Sequence, residues 1–313
     1  MKHCGFAWVV VVSGCVAIGP VAHAEPPPDI APKLANIGRV IDPVATGALY
    51  APQLKAQSYE GVRVTRDVSY GPDDKQRLDV FVPAATQASP RAVLIFVHGG
   101  GYVRGDKHAP DSPFYDNVML WAANHGMIGI NVNYRLAPQN GWPSGAEDLG
   151  LATRWVQQNI AAQGGAPARI FLVGHSSGAS HVAGYVAQPR FHGPQGVGLA
   201  GVALISPGII DPTRAKGPTR DAYFGEDASV YAERSSLPGI LIAPLPVMVT
   251  VAEFDPPEIE GYATQLRGAL CDARRCPTWT RFAGHNHMSV VDSFNTADDE
   301  VGAALLAFMQ VGR

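Results

Sequence analysis

Residues 169–178 read RIFLVGHSSG, and this stretch sets the expectation for the whole fold. Residues 169–173 read RIFLV, and the apolar run that follows Arg169 predicts a strand that is buried on both faces. A G-x-S-x-G motif follows, and the small residues 177–187 after it predict a helix. A Gly- and Ser-rich turn can simply join two elements. Between a buried strand and a helix, however, this motif presents the hydroxyl of its central residue, so Ser176 is a candidate nucleophile.

Strand and helix patterns alternate on both sides of this stretch. Apolar runs predict buried strands at 92–97 and 127–133, and further strands are predicted at 202–205, 246–251 and 278–282. Helical periodicity covers 112–125, 144–163, 258–270 and 296–311. This alternation predicts the α/β class, with a mostly parallel central sheet and helices on both faces. Two segments that alternate polar and apolar residues, 62–69 and 77–82, predict an antiparallel pair at one edge.

The chain shows no internal repeat and no clear linker, so residues 25–313 predict a single domain. An N-terminal arm, 25–60, is rich in Pro and Ala and has a short helical pattern at 44–54. The stretch 209–241 is the one long excursion without a central strand. We therefore expect a small cap over a site there.

The overall composition limits the classes of partner. The 313 residues are 46% hydrophobic and 16% charged, which is enough apolar material for a sizeable core. The formal net charge is −3. Nucleic acid is therefore not expected as a partner, because neutralising its phosphates needs clustered Lys and Arg.

The first residues, 1–24, have the pattern of a signal peptide. Lys2 precedes an apolar stretch, and 22–24 read AHA, an A-x-A cleavage motif. The stretch is shorter than the roughly 20 residues of a membrane span, so no stable membrane insertion is expected after cleavage. An uncleaved membrane anchor is one alternative. A bacterial lipoprotein with lipid on Cys15 is another, because 12–15 read VSGC. We expect a periplasmic or secreted protein.

Cleavage leaves two of the four cysteines, Cys271 and Cys276, in the segment CDARRC. In an oxidising compartment, two cysteines so close together predict a disulfide rather than a redox or metal pair. A metal site is disfavoured because it needs further ligands at a suitable spacing.

A second glycine-rich motif, HGGG at 98–101, follows another predicted strand. Without side chains in the way, backbone N–H groups of such a loop can face a cavity and stabilise an oxyanion. The candidate donors are the N–H groups of Gly100, Gly101 and Ser177. His98 is expected to hydrogen-bond the backbone of the loop rather than take part in chemistry. The alternative is a flexible glycine turn.

Taken together in this order, the motifs resemble those of the α/β-hydrolase superfamily, from about residue 63 to the C-terminus. The most similar group is the esterases and lipases with an HGGG motif, which include hormone-sensitive-lipase-like and feruloyl or acetyl-xylan esterase-like carboxylesterases. The resemblance implies an α/β-hydrolase fold, a small-molecule ester substrate and no cofactor or metal. It is carried by HGGGYVRGDK (98–107), NYRLAP (133–138), WPSGAEDL (142–149), GHSSGA (174–179), AEFDPPE (252–258) and GHNHMS (284–289).

The resemblance also implies a catalytic triad in the chain order Ser, Asp or Glu, His. Ser176 is the nucleophile. Asp255 is the preferred acid, with Glu253 as the weaker candidate. His287 is the preferred base, with His285 as the alternative; a zinc site on this H-x-H pair lacks further ligands nearby. All of these residues follow predicted parallel strands, so we expect them to converge at the carboxyl edge of the sheet.

Other residues in the same motifs are expected to support the fold or the pocket. Arg135 and Asp148 resemble a family pair that ties a loop to the start of a helix. Asp106 and Lys107 are expected to brace the oxyanion loop. Four aromatic residues are candidates either for lining a pocket or for packing: Tyr102, Trp142, Tyr223 and Phe224.

These features predict a secreted serine carboxylesterase that forms an acyl-enzyme on Ser176. The shortness of the 209–241 excursion favours short-chain or compact aromatic esters over long-chain triglycerides. An amidase or formamidase that uses the same triad is the alternative. A non-catalytic binding protein is disfavoured, because such proteins normally lose a member of the triad, and here none is missing.

Overall fold

The computed structural model describes residues 26–310. Its strands form one eight-stranded sheet. The predicted signal peptide, 1–24, lies outside the described residues. The strands are β1 (Val62–Ser69), β2 (Arg77–Pro83), β3 (Arg91–Val97), β4 (Ile128–Val132), β5 (Gly165–His175), β6 (Gly201–Ile205), β7 (Val247–Phe254) and β8 (Thr278–Asn286).

The strand order is β1-β2-β4-β3-β5-β6-β7-β8. β1 pairs antiparallel with β2, and β2 pairs antiparallel with β4. The remaining neighbours are parallel, from β4 through β3 to β8. The predicted mostly parallel sheet with an antiparallel pair at one edge is therefore confirmed. The carboxyl ends of β5, β6, β7 and β8 lie side by side at one edge.

The helices cover both faces of the sheet, and most begin within a few residues of the predicted positions. They are α1 (Ala31–Ile37), α2 (Pro43–Lys55), α3 (Asp116–Asn124), α4 (Ser144–Asn159), α5 (Ser177–Ala187), α6 (Pro218–Phe224), α7 (Tyr231–Arg234), α8 (Leu237–Ile242), α9 (Pro257–Asp272), α10 (Ser289–Asp292) and α11 (Glu300–Gln310). None of the helices in the described range is long and apolar enough to cross a membrane.

Three predicted helices end or begin elsewhere. The helix predicted from 112 begins at Asp116. The helix predicted at 144–163 is α-helical to Asn159, after which 160–163 tighten into a 3-10 turn that stops at the left-handed Gly164. The helix predicted from 296 begins only at Glu300. Before it, the Thr296 hydroxyl donates to the carbonyl of Ser293 and accepts from the N–H of Asp298, so side-chain bonds compete with helical ones.

Each face of the sheet has its own apolar core, and β3 contributes to both. Its residues Val93, Ile95 and Val97 pack on the face that α4, α5 and α9 cover. Leu94 and Phe96 pack on the opposite face, against α3, α10 and α11. Side chains alternate between faces along a strand, so a strand that is covered on both sides must be apolar throughout.

The N-terminal arm packs beside the carboxyl end of β8. Leu34 of α1 and Tyr50 of α2 are buried in a small apolar cluster of their own. Tyr50 also donates a 2.9 Å hydrogen bond to Asp298. The amide of Asn286, the last residue of β8, donates to the hydroxyl of Thr46. The arm is thus attached to the sheet edge where the candidate residues were expected.

Cys271 and Cys276 form a disulfide, as the sequence predicts. The bond joins the last turn of α9 to the segment before β8, at the sheet edge away from the candidate residues. For so short a loop, the chain-entropy model gives a stabilisation of about 2 kcal/mol.

Candidate active site

Ser176 occupies a strained turn between β5 and α5. Its φ of 55° and ψ of −125° lie in a region that residues other than Gly rarely adopt. The N–H of Ser176 donates to the carbonyl of Ile205, which fixes the turn against β6. Gly178 lies so close to β3 that a Cβ there would be 2.2 Å from the carbonyl oxygen of Val97. The motif glycine is therefore required by packing, and the turn holds Ser176 at the carboxyl edge of the sheet.

Asp255 and His287 come together at the same edge. Asp255 follows β7 and His287 follows β8, and Nδ1 of His287 lies 2.7 Å from Oδ1 of Asp255. Both side chains are buried. His287 and Ser176 line one cavity, although no hydrogen bond joins them among the described residues. Such contacts are often longer in a free enzyme than in its complexes.

The second carboxylate oxygen of Asp255 is also held. Oδ2 accepts hydrogen bonds from the hydroxyl of Ser206, at 2.7 Å, and from the N–H of Ala252, at 2.8 Å. Ser206 is buried and directly follows β6. Its role was not predicted from the sequence, although its position after a buried strand of the same sheet was a possible signal.

His175, the residue before Ser176, holds the loop that carries His287. Its Nε2 lies 2.8 Å from the carbonyl oxygen of His287, and the two rings are 4.6 Å apart between centroids. Burial and the nearby His287 lower the pKa of His175 well below its ordinary value. His175 is therefore a neutral imidazole that can donate to this carbonyl.

The two alternative triad residues have other partners. The Glu253 carboxylate accepts a 2.7 Å hydrogen bond from the N–H of Gly284. Nδ1 of His285 lies 3.0 Å from the hydroxyl of Ser289, and His285 belongs to β8 rather than to the loop after it. Neither Glu253 nor His285 lines the cavity that contains Ser176. The structure therefore brings Asp255 and His287 together, and not the alternatives.

The glycine loop faces Ser176. Gly100 has a φ of 130°, and a Cβ there would lie 1.9 Å from the carbonyl oxygen of Arg104, so only Gly fits this turn. Gly100, Gly101 and Ser177 all line the cavity. Within the described part of the chain, their N–H groups donate no hydrogen bond. These three N–H groups are free to bind an oxygen that carries developing negative charge.

His98 lies behind this loop, outside the cavity lining. Its Nδ1 lies 2.7 Å from the carbonyl oxygen of Gly99, and its ring stacks on Tyr134 at 4.5 Å. Burial lowers the pKa of His98 to about 4. It is therefore neutral and supports the loop, as expected from the sequence.

Charged pairs brace the segments next to the glycine loop. The Lys107 ammonium lies 2.7 Å from Asp67 and 2.8 Å from Asp79. Burial on its own would lower the pKa of Lys107, but the bonds to these two carboxylates outweigh it and raise the pKa above its ordinary value. Asp106 accepts a 2.9 Å hydrogen bond from the amide of Asn133.

The predicted pair of Arg135 and Asp148 is also present. The N–H of Arg135 donates to Asp148 at 2.7 Å, and its guanidinium contacts the same carboxylate at 2.8 Å. Because Asp148 belongs to α4, this pair ties the loop after β4 to that helix.

The cavity above Ser176 measures about 390 Å³. Of the four aromatic candidates, Tyr102 lines it, and Tyr223 stacks behind Tyr102 at 4.6 Å. Phe224 and Trp142 pack further away in the same cluster. Most other lining residues were not predicted, and those from the arm had no sequence signal. They include Ile41, Pro43, Arg104, Tyr115, Lys216, Thr219, Glu258, Ile259, Tyr262 and Met288.

The described residues contain no group of three or more His, Cys, Asp or Glu side chains that could hold a metal ion. What the site contains is a hydroxyl, an imidazole paired with a carboxylate, and free N–H groups around one cavity.

Comparison with known proteins decides the family. A family model described as "alpha/beta hydrolase fold" matches residues 94–288, which include the glycine loop, Ser176, Asp255 and His287. The chain belongs to the α/β-hydrolase family. This confirms the resemblance on which the expected fold and site rested.

Individual relatives of this member of the family carry esterase names. Esterase B1 of Culex pipiens is 33% identical over 118 residues, which cover 36% of this chain and 22% of the insect protein. The chain spans less than a quarter of the length of the first curated relatives that it matches, at 22%, 24% and 24%.

Two solved structures match nearly the whole chain. A bacterial heroin esterase has a TM-score of 0.69 and 25% identity, covering 92% of this chain and 98% of its own. Esterase B from Lactobacillus rhamnosis has a TM-score of 0.70, 18% identity and coverage of 90% and 96%, which shows the likeness of fold.

Proposed function

We propose that the protein is a serine carboxylesterase whose catalytic residues are Ser176, His287 and Asp255. The observation that carries the proposal is the 2.7 Å contact between buried Asp255 and His287, which lines the same cavity as Ser176. The free N–H groups of Gly100, Gly101 and Ser177 in the same cavity supply the expected oxyanion site. The esterase names of the relatives support the same reaction class.

In the proposed reaction, the hydroxyl oxygen of Ser176 attacks the carbonyl carbon of the ester while His287 takes the hydroxyl proton. The carbonyl oxygen becomes negative and binds the N–H groups of the glycine loop, while Asp255 stabilises the cationic imidazole. The tetrahedral intermediate breaks its bond to the alcohol oxygen, which leaves with the proton from His287. A water molecule then attacks the acyl-enzyme in the same way and releases the acid.

We propose short-chain or compact aromatic esters as substrates. A cavity of about 390 Å³ is near the lower end of the range for small-molecule sites, roughly 300–1,000 Å³. Ile41, Ile259 and Met288 contribute apolar walls, which suit a short acyl chain or an aromatic ring.

The proposed function is tested by Ser176→Ala, with 4-nitrophenyl acetate as substrate. We expect kcat to fall roughly 1,000-fold or more, because the covalent step is lost. Ser58→Ala, at an exposed serine before β1, is the matched control and retains wild-type kcat. Retention of normal hydrolysis by the Ser176→Ala protein rules out the proposed nucleophile. A series of 4-nitrophenyl esters of increasing acyl chain length tests which substrate size the cavity accepts. Comparison of 4-nitrophenyl acetate with 4-nitroacetanilide separates esterase from amidase activity.

We also propose that the protein is exported after cleavage at Ala24. The A-x-A motif and the disulfide, which fits an oxidising compartment, support export. Mass spectrometry of the exported protein should find Glu25 as the first residue. If the first residue is instead a lipid-modified Cys15, the protein is a lipoprotein. If the N-terminus is intact, the signal segment is retained as an anchor or has not been processed.

A further inference from the structure

Most cationic side chains of the described chain have an acidic, carbonyl or aromatic partner. Near the site, for example, Arg220 is paired with Asp221 and Arg281 with Glu260. A small group makes no hydrogen bond, ion pair or ring contact with other described residues. These side chains are Lys33, Lys55, Arg104, Arg169, Arg214, Lys216 and Arg274.

Three members of this group line the cavity above Ser176 or the cavity that adjoins it. Arg104 and Lys216 line the first of these together with Ser176. Arg214 and Lys216 line a second cavity of about 480 Å³, which shares Lys216, Glu258 and Tyr262 with the first. The two cavities therefore adjoin, and Lys216 lies where they meet.

The two cavities differ in chemistry. The first has the glycine loop and the apolar walls around Ser176. Apart from Gly261, the second is lined by polar or charged side chains: Arg214, Lys216, Glu258, Tyr262 and Gln265. A ligand that fills both must present its reactive ester and apolar part to the first cavity and a polar end to the second.

The balance of charge sets the sign of that polar end. The two cavities together have three cationic side chains, Arg104, Arg214 and Lys216, against the single carboxylate of Glu258. Glu258 forms no ion pair with any of the three. The whole chain has a net charge of −3, so this local excess of positive charge is not a general property of the surface. Unpaired cations around a concave site attract and bind anions.

We propose that Arg104, Lys216 and Arg214 bind a negatively charged group of the substrate, so that the preferred esters carry an anion several bonds away from the scissile bond. This inference rests on the proposed esterase function and adds the substrate class. Arg104 follows the glycine loop in the same turn, since its N–H donates to the carbonyl of Gly100. The backbone of Arg104 therefore has a fixed position relative to the oxyanion site, and its side chain extends from there along the cavity wall.

The test compares two esters of equal chain length, mono-4-nitrophenyl adipate, which ends in a carboxylate, and 4-nitrophenyl hexanoate, which ends in a methyl group. In Lys216→Ala, we expect the ratio of kcat/KM for the anionic ester to that for the neutral one to fall roughly threefold to tenfold, mainly through KM. Added salt lowers the same ratio in the wild type, because it screens the exposed cations. Lys55→Ala, an exposed lysine at the end of α2 that lines neither cavity, leaves the ratio unchanged.

The outcomes separate this inference from the proposed function. If Ser176-dependent hydrolysis of both esters is seen and Lys216→Ala leaves the ratio unchanged, the anion site is wrong while the esterase function stands. If neither ester is hydrolysed, binding to the Ser176→Ala protein, measured by calorimetry, decides the question without turnover. Tighter binding of the anionic ester, weakened by Lys216→Ala, supports the anion site. Equal binding of the two esters overturns it.

Discussion

Asp255 is held by hydrogen bonds from three different parts of the chain. His287 contacts Oδ1, while Ser206 and the N–H of Ala252 both donate to Oδ2. Because both contacts on Oδ2 are fixed by the sheet, the carboxylate cannot rotate away from His287. Preorganisation of this kind lowers the cost of aligning a catalytic base.

Replacement of Ser206 by alanine tests this arrangement. We expect kcat in Ser206→Ala to fall about tenfold, at a cost of roughly 1–2 kcal/mol for the lost charged hydrogen bond. KM should change little, because Ser206 does not line the cavity. Steady-state kinetics with 4-nitrophenyl acetate measure both constants, and the melting temperature checks the fold. An unchanged kcat in a folded variant means that Ser206 does not position Asp255.

Sequence reasoning could name Ser176 because its G-x-S-x-G motif follows a strand whose apolar run is visible, and it could name Asp255 and His287 because the resemblance to a known family implied them at positions that follow predicted strands. The predicted strands alone could not separate His287 from His285. The distinction depends on where β8 ends. This strand continues to Asn286, four residues beyond the end that the sequence predicts at 282. Ser206 and His175 act through contacts with residues far away in the sequence, and no local pattern encodes such contacts.

At the level of elements, the N-terminal arm contributes directly to the site. The Arg39 guanidinium donates a 2.7 Å hydrogen bond to the carbonyl of Asp255 and also pairs with Glu260. Just after it, Ile41 and Pro43 line the cavity above Ser176. The sequence predicted an arm, but its Pro- and Ala-rich composition gave no signal for α1 or for this contact, which joins residues 216 positions apart.

Arg39→Ala tests whether the arm shapes the substrate site. Loss of both contacts should loosen the segment that carries Ile41 and Pro43, so we expect KM for 4-nitrophenyl hexanoate to rise several-fold while kcat changes less. Lys33→Ala, at an exposed lysine of α1 whose side chain makes no hydrogen bond or ion pair with the described residues, is the control. Equal KM values for Arg39→Ala and the wild type show that the arm does not position the cavity wall.

For the whole molecule, the order of the strands explains why a site forms at all. The parallel strands β5, β6, β7 and β8 are neighbours, so the loops that carry Ser176, Ser206, Asp255 and His287 meet at one edge. Most of this sheet could be predicted because a strand covered on both faces is apolar throughout. The order of the strands could not be derived from the runs themselves, since it depends on which helix crosses which face; the sequence predicted only a mostly parallel sheet with an antiparallel pair at one edge.

Three buried histidines should make the stability of the whole molecule dependent on pH. Burial lowers the pKa of His98 to about 4 and that of His181 to about 3, and it lowers the pKa of His175 well below its ordinary value. Between these values and the ordinary pKa of about 6.5, the unfolded chain binds more protons than the folded one. The stability is therefore fully present above about pH 6.5 and is lost as the pH falls towards 4.

Urea unfolding at about pH 7.5, 6 and 5 measures this dependence, and we expect the midpoint to fall with pH. His181→Leu removes one of the titrating groups, and both ring nitrogens of His181 lack partners among the described residues. The midpoint of this variant should therefore fall less between pH 7.5 and 5. An equal fall of the midpoint in the wild type and in His181→Leu means that the fold does not keep His181 neutral; the wild-type trend alone does not decide this, because burial raises the pKa of Asp292 and its titration acts in the opposite direction.

The most direct measurement of the proposed chemistry is the site of a covalent adduct. Diethyl 4-nitrophenyl phosphate transfers its phosphoryl group to an activated serine oxygen and releases 4-nitrophenolate. After inactivation of the wild-type protein, we predict a single diethylphosphoryl group on the peptide that contains Ser176, seen by mass spectrometry, and no adduct in the His287→Ala protein under the same conditions. An inactivated protein whose adduct lies on another residue, or a Ser176 that stays unmodified, contradicts the assignment of Ser176 as the nucleophile.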